Sequence, residues 1–186
     1  MDSKIINKIK LQKKIPIIGK LLPSEIENIF SKLISAKFEI IEITLRNKEA
    51  LDVAVMMKKK FPTAIIGIGS ITSLNILKEA SKYNFDFYVS PGLNSKILDF
   101  TMKYNLNFLP GVSTPSEIMM AIEYEKKVLK YFHAERNGGT KSLETIYEIF
   151  EDIKFIPTGG ITLENYNTYL KLPNVISVGS TKFRFN

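Results

Sequence analysis

"FEIIEITL" (residues 38–45) reads as a strand whose two faces need different surroundings. Side chains alternate across a strand, so Ile41, Ile43 and Leu45 share one parity, while Glu42, Thr44 and then Arg46 share the other. The apolar set must meet a layer of helices. The polar set then faces the opposite way, which in a closed ring of strands is the interior. "VLKYF" (128–132) poses the same problem, with Val128, Lys130 and Phe132 on one face and Leu129 and Tyr131 on the other. A lysine amid β-branched and aromatic residues either escapes to water or is present for its chemistry.

Around these two stretches a single pattern recurs, an apolar run followed by a turn and an amphipathic segment. The runs are "IPIIG" (15–19), "FEIIEITL" (38–45), "AIIGIGSI" (64–71), "FDFYVS" (85–90), "NFLPGV" (107–112), "VLKYF" (128–132), "KFIPTGG" (154–160) and "VISVGS" (175–180). The segments between them carry helix spacing and start signals, as in Pro23-Ser24-Glu25 and Thr114-Pro115-Ser116-Glu117. Eight strand–helix units with no linker between them predict an α/β fold with a parallel sheet. A single (β/α)8 TIM barrel over residues 1–186 is the natural closure. An open doubly wound sheet is the alternative. The barrel is small, with an N-terminal extra helix expected over residues 3–12 and the eighth helix truncated or missing, because "TKFRFN" follows the last strand directly. That shortfall is expected to leave apolar surface on the first and seventh helices uncovered unless another element or a partner subunit covers it, with weak stability or altered oligomerisation as its consequence.

Composition narrows the chemistry. The chain has no Cys and one His, His133, so thiolate sites, cysteine nucleophiles and multi-histidine metal centres are excluded, and a Ser–His triad is a poor fit. The net charge of +7 comes from 26 Lys and Arg against 19 Asp and Glu, spread along the chain as a solvated surface apart from "MKKK" at 57–60. No span approaches the roughly 20 apolar residues of a membrane helix, and the N-terminus lacks a signal peptide's apolar core. A cytoplasmic enzyme or binding protein is expected.

Two strands thus send a lysine, a carboxylate and an arginine inward, beside a gap expected where Gly67 and Gly69 share one parity. Buried charges are costly unless paired or used. An internal Glu42–Lys130 ion pair serving only the fold is the competing reading, as is an Arg46–Glu42 pair and a Ser70 that merely caps the following helix.

"EITLR" (42–46), "GIGSITS" (67–73), "VSPGL" (89–93), "LPGVSTPSE" (109–117), "KYFHAE" (130–135) with "NGG" (137–139), and "FIPTGGIT" (155–162) occur in this order. Together they resemble the 2-keto-3-deoxy-6-phosphogluconate (KDPG) / 4-hydroxy-2-oxoglutarate aldolases, over about residues 15–181. The resemblance implies a class I aldolase, a trimeric lyase needing no metal. It cleaves KDPG to pyruvate and glyceraldehyde 3-phosphate, with 4-hydroxy-2-oxoglutarate to pyruvate and glyoxylate as a further reaction. It makes Lys130 the Schiff-base lysine and Glu42 the proton-transferring carboxylate. Arg46 and Ser70 hold the pyruvate carboxylate, Pro91 and Phe132 line the pyruvyl pocket, and Thr158, Gly159 and Gly160, with Gly179, Ser180 and Thr181, bind the phosphate. Neither metal nor nucleic acid nor membrane is implied, and a homotrimer is.

The chemistry needs these residue types. Breaking a carbon–carbon bond beside a ketone leaves an electron pair that an iminium nitrogen can accept, and a lysine amine builds that iminium. Arg46 offers a planar fork suited to a carboxylate, and glycine turns let backbone N–H groups cradle a phosphate. The truncated or missing C-terminal helix is the largest departure expected from the family pattern, and single residues depart at two further places and, mildly, at a third. His133 stands where Pro is usual, and a loop histidine contacting backbone or solvent is expected. Gly19 stands where many relatives have Arg, with Lys20 beside it, and Ser70 stands where Thr is common. Competing functions are cleavage of the galactonate-derived epimer of KDPG, another phosphate-binding barrel enzyme, and an inactive barrel serving as a binding protein.

Overall fold

The computed structural model describes residues 1–20 and 22–185, with side chains through residue 183. Nine strand segments, β1 (Lys14–Ile18), β2 (Ile40–Thr44), β3 (Ile65–Gly69), β4 (Phe87–Val89), β5 (Phe108–Leu109), β6 (Gly111–Val112), β7 (Val128–Phe132), β8 (Lys154–Thr158) and β9 (Val178–Ser180), pair in parallel in the order β5-β4-β3-β2-β1-β9-β8-β7-β6. β5 and β6 are two halves of one strand, interrupted at Pro110, which has no N–H for the ladder. The Pro110 carbonyl accepts the Lys130 N–H at 2.9 Å, and the Gly111 N–H donates to Ser90 Oγ at 3.2 Å, so the ring closes there. The sheet is a parallel barrel, as the repeat count predicts, and not an open sheet.

Helices α1 (Ser3–Gln12), α2 (Pro23–Ser35), α3 (Ala50–Lys60), α4 (Leu74–Ala80), α5 (Ser95–Lys103), α6 (Pro115–Glu123), α7 (Gly139–Ile149) and α8 (Tyr166–Leu170) occupy the intervals between strands, with α1 ahead of β1. Side-chain caps set several starts. Ser73 Oγ accepts from Ile76 N at α4, Asn94 Oδ1 accepts from Ile97 N at α5, and Thr114 and Glu117 form a reciprocal capping box at α6.

The strand parity read from sequence is the parity observed. Ile41, Ile43, Ile66 and Ile68 pack outward with Ile26, Phe30 and Val53 of the helices. Leu129, Tyr131 and Phe155 do the same with Leu143 and Ile146. Inside, Ile15, Ile40, Phe87, Val89, Leu109 and Ile156 fill the N-terminal half of the barrel, closed from below by Ile9 of α1. Gln12 secures that plug. Its carbonyl oxygen accepts from the N–H groups of Glu39 and Ile40, and its amide donates to the carbonyls of Lys14 and Ile40.

After β9 the described residues form a 3₁₀ turn, Thr181–Phe185. On the seventh barrel helix, α8, the surface is covered by another element, because this turn inserts Phe183. That ring is buried and packs edge-on against Tyr166 of α8 at 5.8 Å. Beside α2, the first barrel helix, and α8, Leu22 and Leu163 remain exposed. The denser group of exposed apolar side chains lies instead on α5 and α6, at Met102, Met119, Met120 and Ile122. No helix among the described residues is long and apolar enough to cross a membrane.

Candidate active site

Glu42 and Lys130 lie inside the ring above the apolar plug, at 4% and 6% exposure. Their register explains the meeting. Glu42 is level with Ile17 on β1 and Gly67 on β3, and Lys130 is level with Gly111 on β6 and Ile156 on β8. Both side chains therefore enter the barrel near its waist. Lys130 Nζ is 3.6 Å from Glu42 Oε1, and that oxygen is buried with no hydrogen-bond partner. The two groups attract each other without closing a hydrogen bond. Lys130 Nζ also sits 5.3 Å from the centroid of the Phe132 ring, within cation–π range.

The glycine gap expected at β3 is real but occupied. A Cβ on Gly67 would lie 2.2 Å from the Phe87 ring, and one on Gly69 would lie 2.1 Å from Glu42 Oε1. Gly69 thus makes room for the carboxylate. Gly69→Ala is expected to keep the fold and displace Glu42, lowering turnover about 100-fold, the usual cost of moving a reacting group by an ångström. Steady-state kinetics beside a thermal melt checks this; turnover within twofold of wild type contradicts it.

A cavity of about 280 Å³ opens above this pair at the C-terminal ends of the strands, where barrel enzymes carry their sites. Its wall brings together ten of the twelve residues singled out from the sequence: Glu42, Arg46, Lys130, Phe132, Thr158, Gly159, Gly160, Gly179, Ser180 and Thr181. The other two are set back. Ser70, at φ 63°, accepts from Arg46 Nε at 3.2 Å and so reaches the site through that guanidinium. It does not cap α4, a task done by Ser73. Arg46 makes no ion pair with Glu42 among the described residues. Pro91 packs its carbonyl against Gly111, outside the wall. A larger depression of about 710 Å³ lies at the other end of the barrel between α6 and α7, remote from Lys130.

The loop after β8 turns on two successive left-handed residues, Gly159 at φ 95° and Gly160 at φ 78°, conformations that other residues adopt only at a cost. Gly179 allows β9 to lie against Thr158, whose Oγ1 would be 2.6 Å from a Cβ there. The paired candidates Ser180 and Thr181 are distinguished by the structure. Ser180 is buried, and its hydroxyl donates to the Ile161 carbonyl at 2.5 Å and accepts from Lys182 N at 3.0 Å, whereas Thr181 is only part-buried.

The sequence profile of the KDPG and KHG aldolases matches residues 5–185. The chain belongs to that family. A 2-dehydro-3-deoxy-phosphogluconate aldolase of Pseudoalteromonas atlantica is 37% identical over 169 residues, covering 89% of this chain and 79% of the relative. Among solved structures, the KDPG aldolase of Legionella pneumophila, with pyruvate captured as a covalent carbinolamine intermediate, superposes with a TM-score of 0.88 at 30% identity, over 91% of this chain and 82% of that one. The 2-keto-3-deoxy-6-phosphogluconate aldolase of Zymomonas mobilis with 3-phosphoglycerate gives 0.91 at 28% identity, over 97% and 86%.

Against its family this chain's wall has further members that the sequence reading did not place there. Ile17, Ile161, Thr162, His133 and Lys182 line the same cavity. Lys182 follows Ser180 by two residues, so the strand alternation carried one step past β9 was the available signal. Gly19 and Lys20 do not reach the wall; Gly19 lies 3.9 Å, as a Cβ would, from the Thr181 methyl. His133 is a part-buried turn residue in contact with backbone, as expected, and it also lines the cavity. Its ring lies on Gly159, and its Nδ1 is buried with no partner.

Proposed function

We propose that this chain is a class I aldolase that cleaves KDPG to pyruvate and glyceraldehyde 3-phosphate, and 4-hydroxy-2-oxoglutarate to pyruvate and glyoxylate. The observation that carries the reading is the Lys130 amine, buried at the floor of the cavity 3.6 Å from Glu42 Oε1, a buried oxygen with no hydrogen-bond partner among the described residues. A pair serving only the fold would close its hydrogen bond; this one leaves a buried carboxylate oxygen unpaired on a residue that lines the cavity.

In this reading the free amine of Lys130 adds to the C2 ketone, giving a carbinolamine, and loss of water gives the iminium. Glu42 takes the proton that the Lys130 ammonium gives up on becoming the free amine, and returns it to the carbinolamine hydroxyl that leaves as water. It then takes the proton of the C4 hydroxyl as the C3–C4 bond breaks, the bonding pair moving through C3 toward the iminium nitrogen to give an enamine and the aldehyde. Protonation of the enamine at C3 and hydrolysis return pyruvate and the free amine. No metal enters any step. Arg46, steadied by Ser70, is set at the mouth to take the substrate carboxylate bidentately. Gly159, Gly160 and Thr181 form the concave wall for the phosphate, successive backbone N–H groups of a turn being suited to anions. Phe132 lines the pyruvyl end, with Pro91 behind it.

One barrel domain carries the whole site, and its phosphorylated sugar-acid substrate supports a cytoplasmic setting. The apolar patch on α5 and α6 supports a homotrimer, expected in light scattering at three times the 21.2 kDa chain mass; a monodisperse monomer contradicts that. The reaction is tested by pyruvate release from KDPG, its galactonate-derived epimer and 4-hydroxy-2-oxoglutarate, with and without EDTA. Release from KDPG that the chelator leaves unaltered is expected, and the absence of release from all three overturns the proposal.

A further inference from the structure

We infer that His133 is a specificity-determining residue, donating a hydrogen bond from Nε2–H to the phosphate on the aldehyde half of the substrate. The inference rests on the aldolase reading above and adds a side-chain donor to a cradle otherwise built of backbone and hydroxyl groups.

Its first support is position. A Cβ built on Gly159 would lie 2.7 Å from Cγ and Cδ2 of the imidazole and 2.9 Å from its Nδ1, and one on Gly160 would lie 3.5 Å from Cε1. The ring therefore lies along the very two glycines that turn the phosphate loop, and it forms part of the cavity wall. Its centroid is 5.3 Å from that of Phe132, which in turn lies 5.3 Å from the Lys130 amine. Amine, phenyl ring and imidazole thus follow one another from the reacting carbon toward the loop.

The second support is the state of the two ring nitrogens. Nδ1 is buried and makes no hydrogen bond. An orphaned buried N–H is rarer and costlier than an unused lone pair, so the proton belongs on Nε2. Burial without a partner fixes the tautomer from the inner side. Among the described residues no hydrogen bond uses Nε2, which leaves an N–H donor on a residue that lines the cavity. The nearby Glu135 packs the Cβ and Cγ of its side chain against Gly160, and its carboxylate accepts from the buried Tyr169 hydroxyl.

A hydrogen bond to a charged group is worth about a 10- to 100-fold change in affinity. His133→Ala is expected to raise KM for KDPG by that factor with kcat little changed. KM for unphosphorylated 2-keto-3-deoxygluconate is expected to rise far less, so the discrimination between the two substrates collapses. His133→Gln, which can place an amide N–H near the Nε2 position, is expected to recover most of it. An equal KM rise for both substrates, or a glutamine variant no better than alanine, overturns the inference and leaves the aldolase reading intact. A wild-type protein that forms no covalent pyruvate adduct removes the aldolase reading and this one together. A second measurement does not depend on the variants folding. His133 is the chain's only histidine, so its ring nitrogens need no assignment in a ¹⁵N spectrum of tag-free protein. Glycerol 3-phosphate is expected to shift Nε2, glycerol is not, and Nδ1 should resonate as an unprotonated nitrogen throughout. An Nδ1-protonated ring, or no response to glycerol 3-phosphate, contradicts the proposal.

Discussion

Arginine at position 130 is expected to leave a folded barrel whose turnover has fallen about 10⁴-fold or more, the scale seen when a covalent nucleophile is removed. The choice of arginine matters. Lys130 is the neighbouring cation of a buried carboxylate, and deleting one member of a buried pair typically costs about 3–5 kcal/mol because the other charge is stranded. Lys130→Met is therefore expected to lose stability as well as activity, and Lys130→Met with Glu42→Gln to regain stability without activity. Arginine keeps a positive charge beside Glu42 yet cannot form the iminium. Thermal melts and steady-state rates on these three variants separate the two contributions. A folded arginine variant turning over within tenfold of wild type is incompatible with a Schiff base at Lys130.

The second large effect falls on Glu42. Its Oε1 faces the Lys130 amine with no hydrogen bond to hold it elsewhere, in the space that Gly69 leaves free. Glu42→Gln keeps the volume and removes the proton-transferring function, and proton transfer by a placed side chain is worth about 10²–10⁴-fold. A fall in kcat of that size is expected, with pyruvate still forming its adduct slowly. Exchange of the pyruvate methyl protons in D₂O isolates the enamine step from aldehyde binding. Exchange at the wild-type rate in the glutamine variant contradicts the role given to Glu42.

The barrel was legible because its signals are local and repeated: eight apolar runs at regular spacing, and a parity in "FEIIEITL" that admits only one interior face. The α1 plug was legible for the same reason. What sequence left obscure depends on contacts made at distance. Nothing in "TKFRFN" announces that Phe183 turns back onto Tyr166 and covers surface that a helix would otherwise protect. Gly67 and Gly69 promised empty space, but whether a glycine leaves a hole or admits a neighbour depends on Phe87 and Glu42, far away in sequence. Lys130 and Glu42 could be paired from parity alone; the open 3.6 Å separation between them could not. Ser180 and Thr181 were equivalent hydroxyls until the Ile161 carbonyl was seen to engage the first. His133 was read from its place in the chain, and only the packing on Gly159 revealed a buried, unpartnered nitrogen.

Incubation with pyruvate and borohydride, followed by peptide mass mapping, tests the central claim most directly. One reduced pyruvyl group on the peptide carrying Lys130, absent without pyruvate and absent from the arginine variant, is the predicted result. Stoichiometric labelling at any of the other lysines, or none anywhere, contradicts the assignment of that amine as the group that holds the substrate.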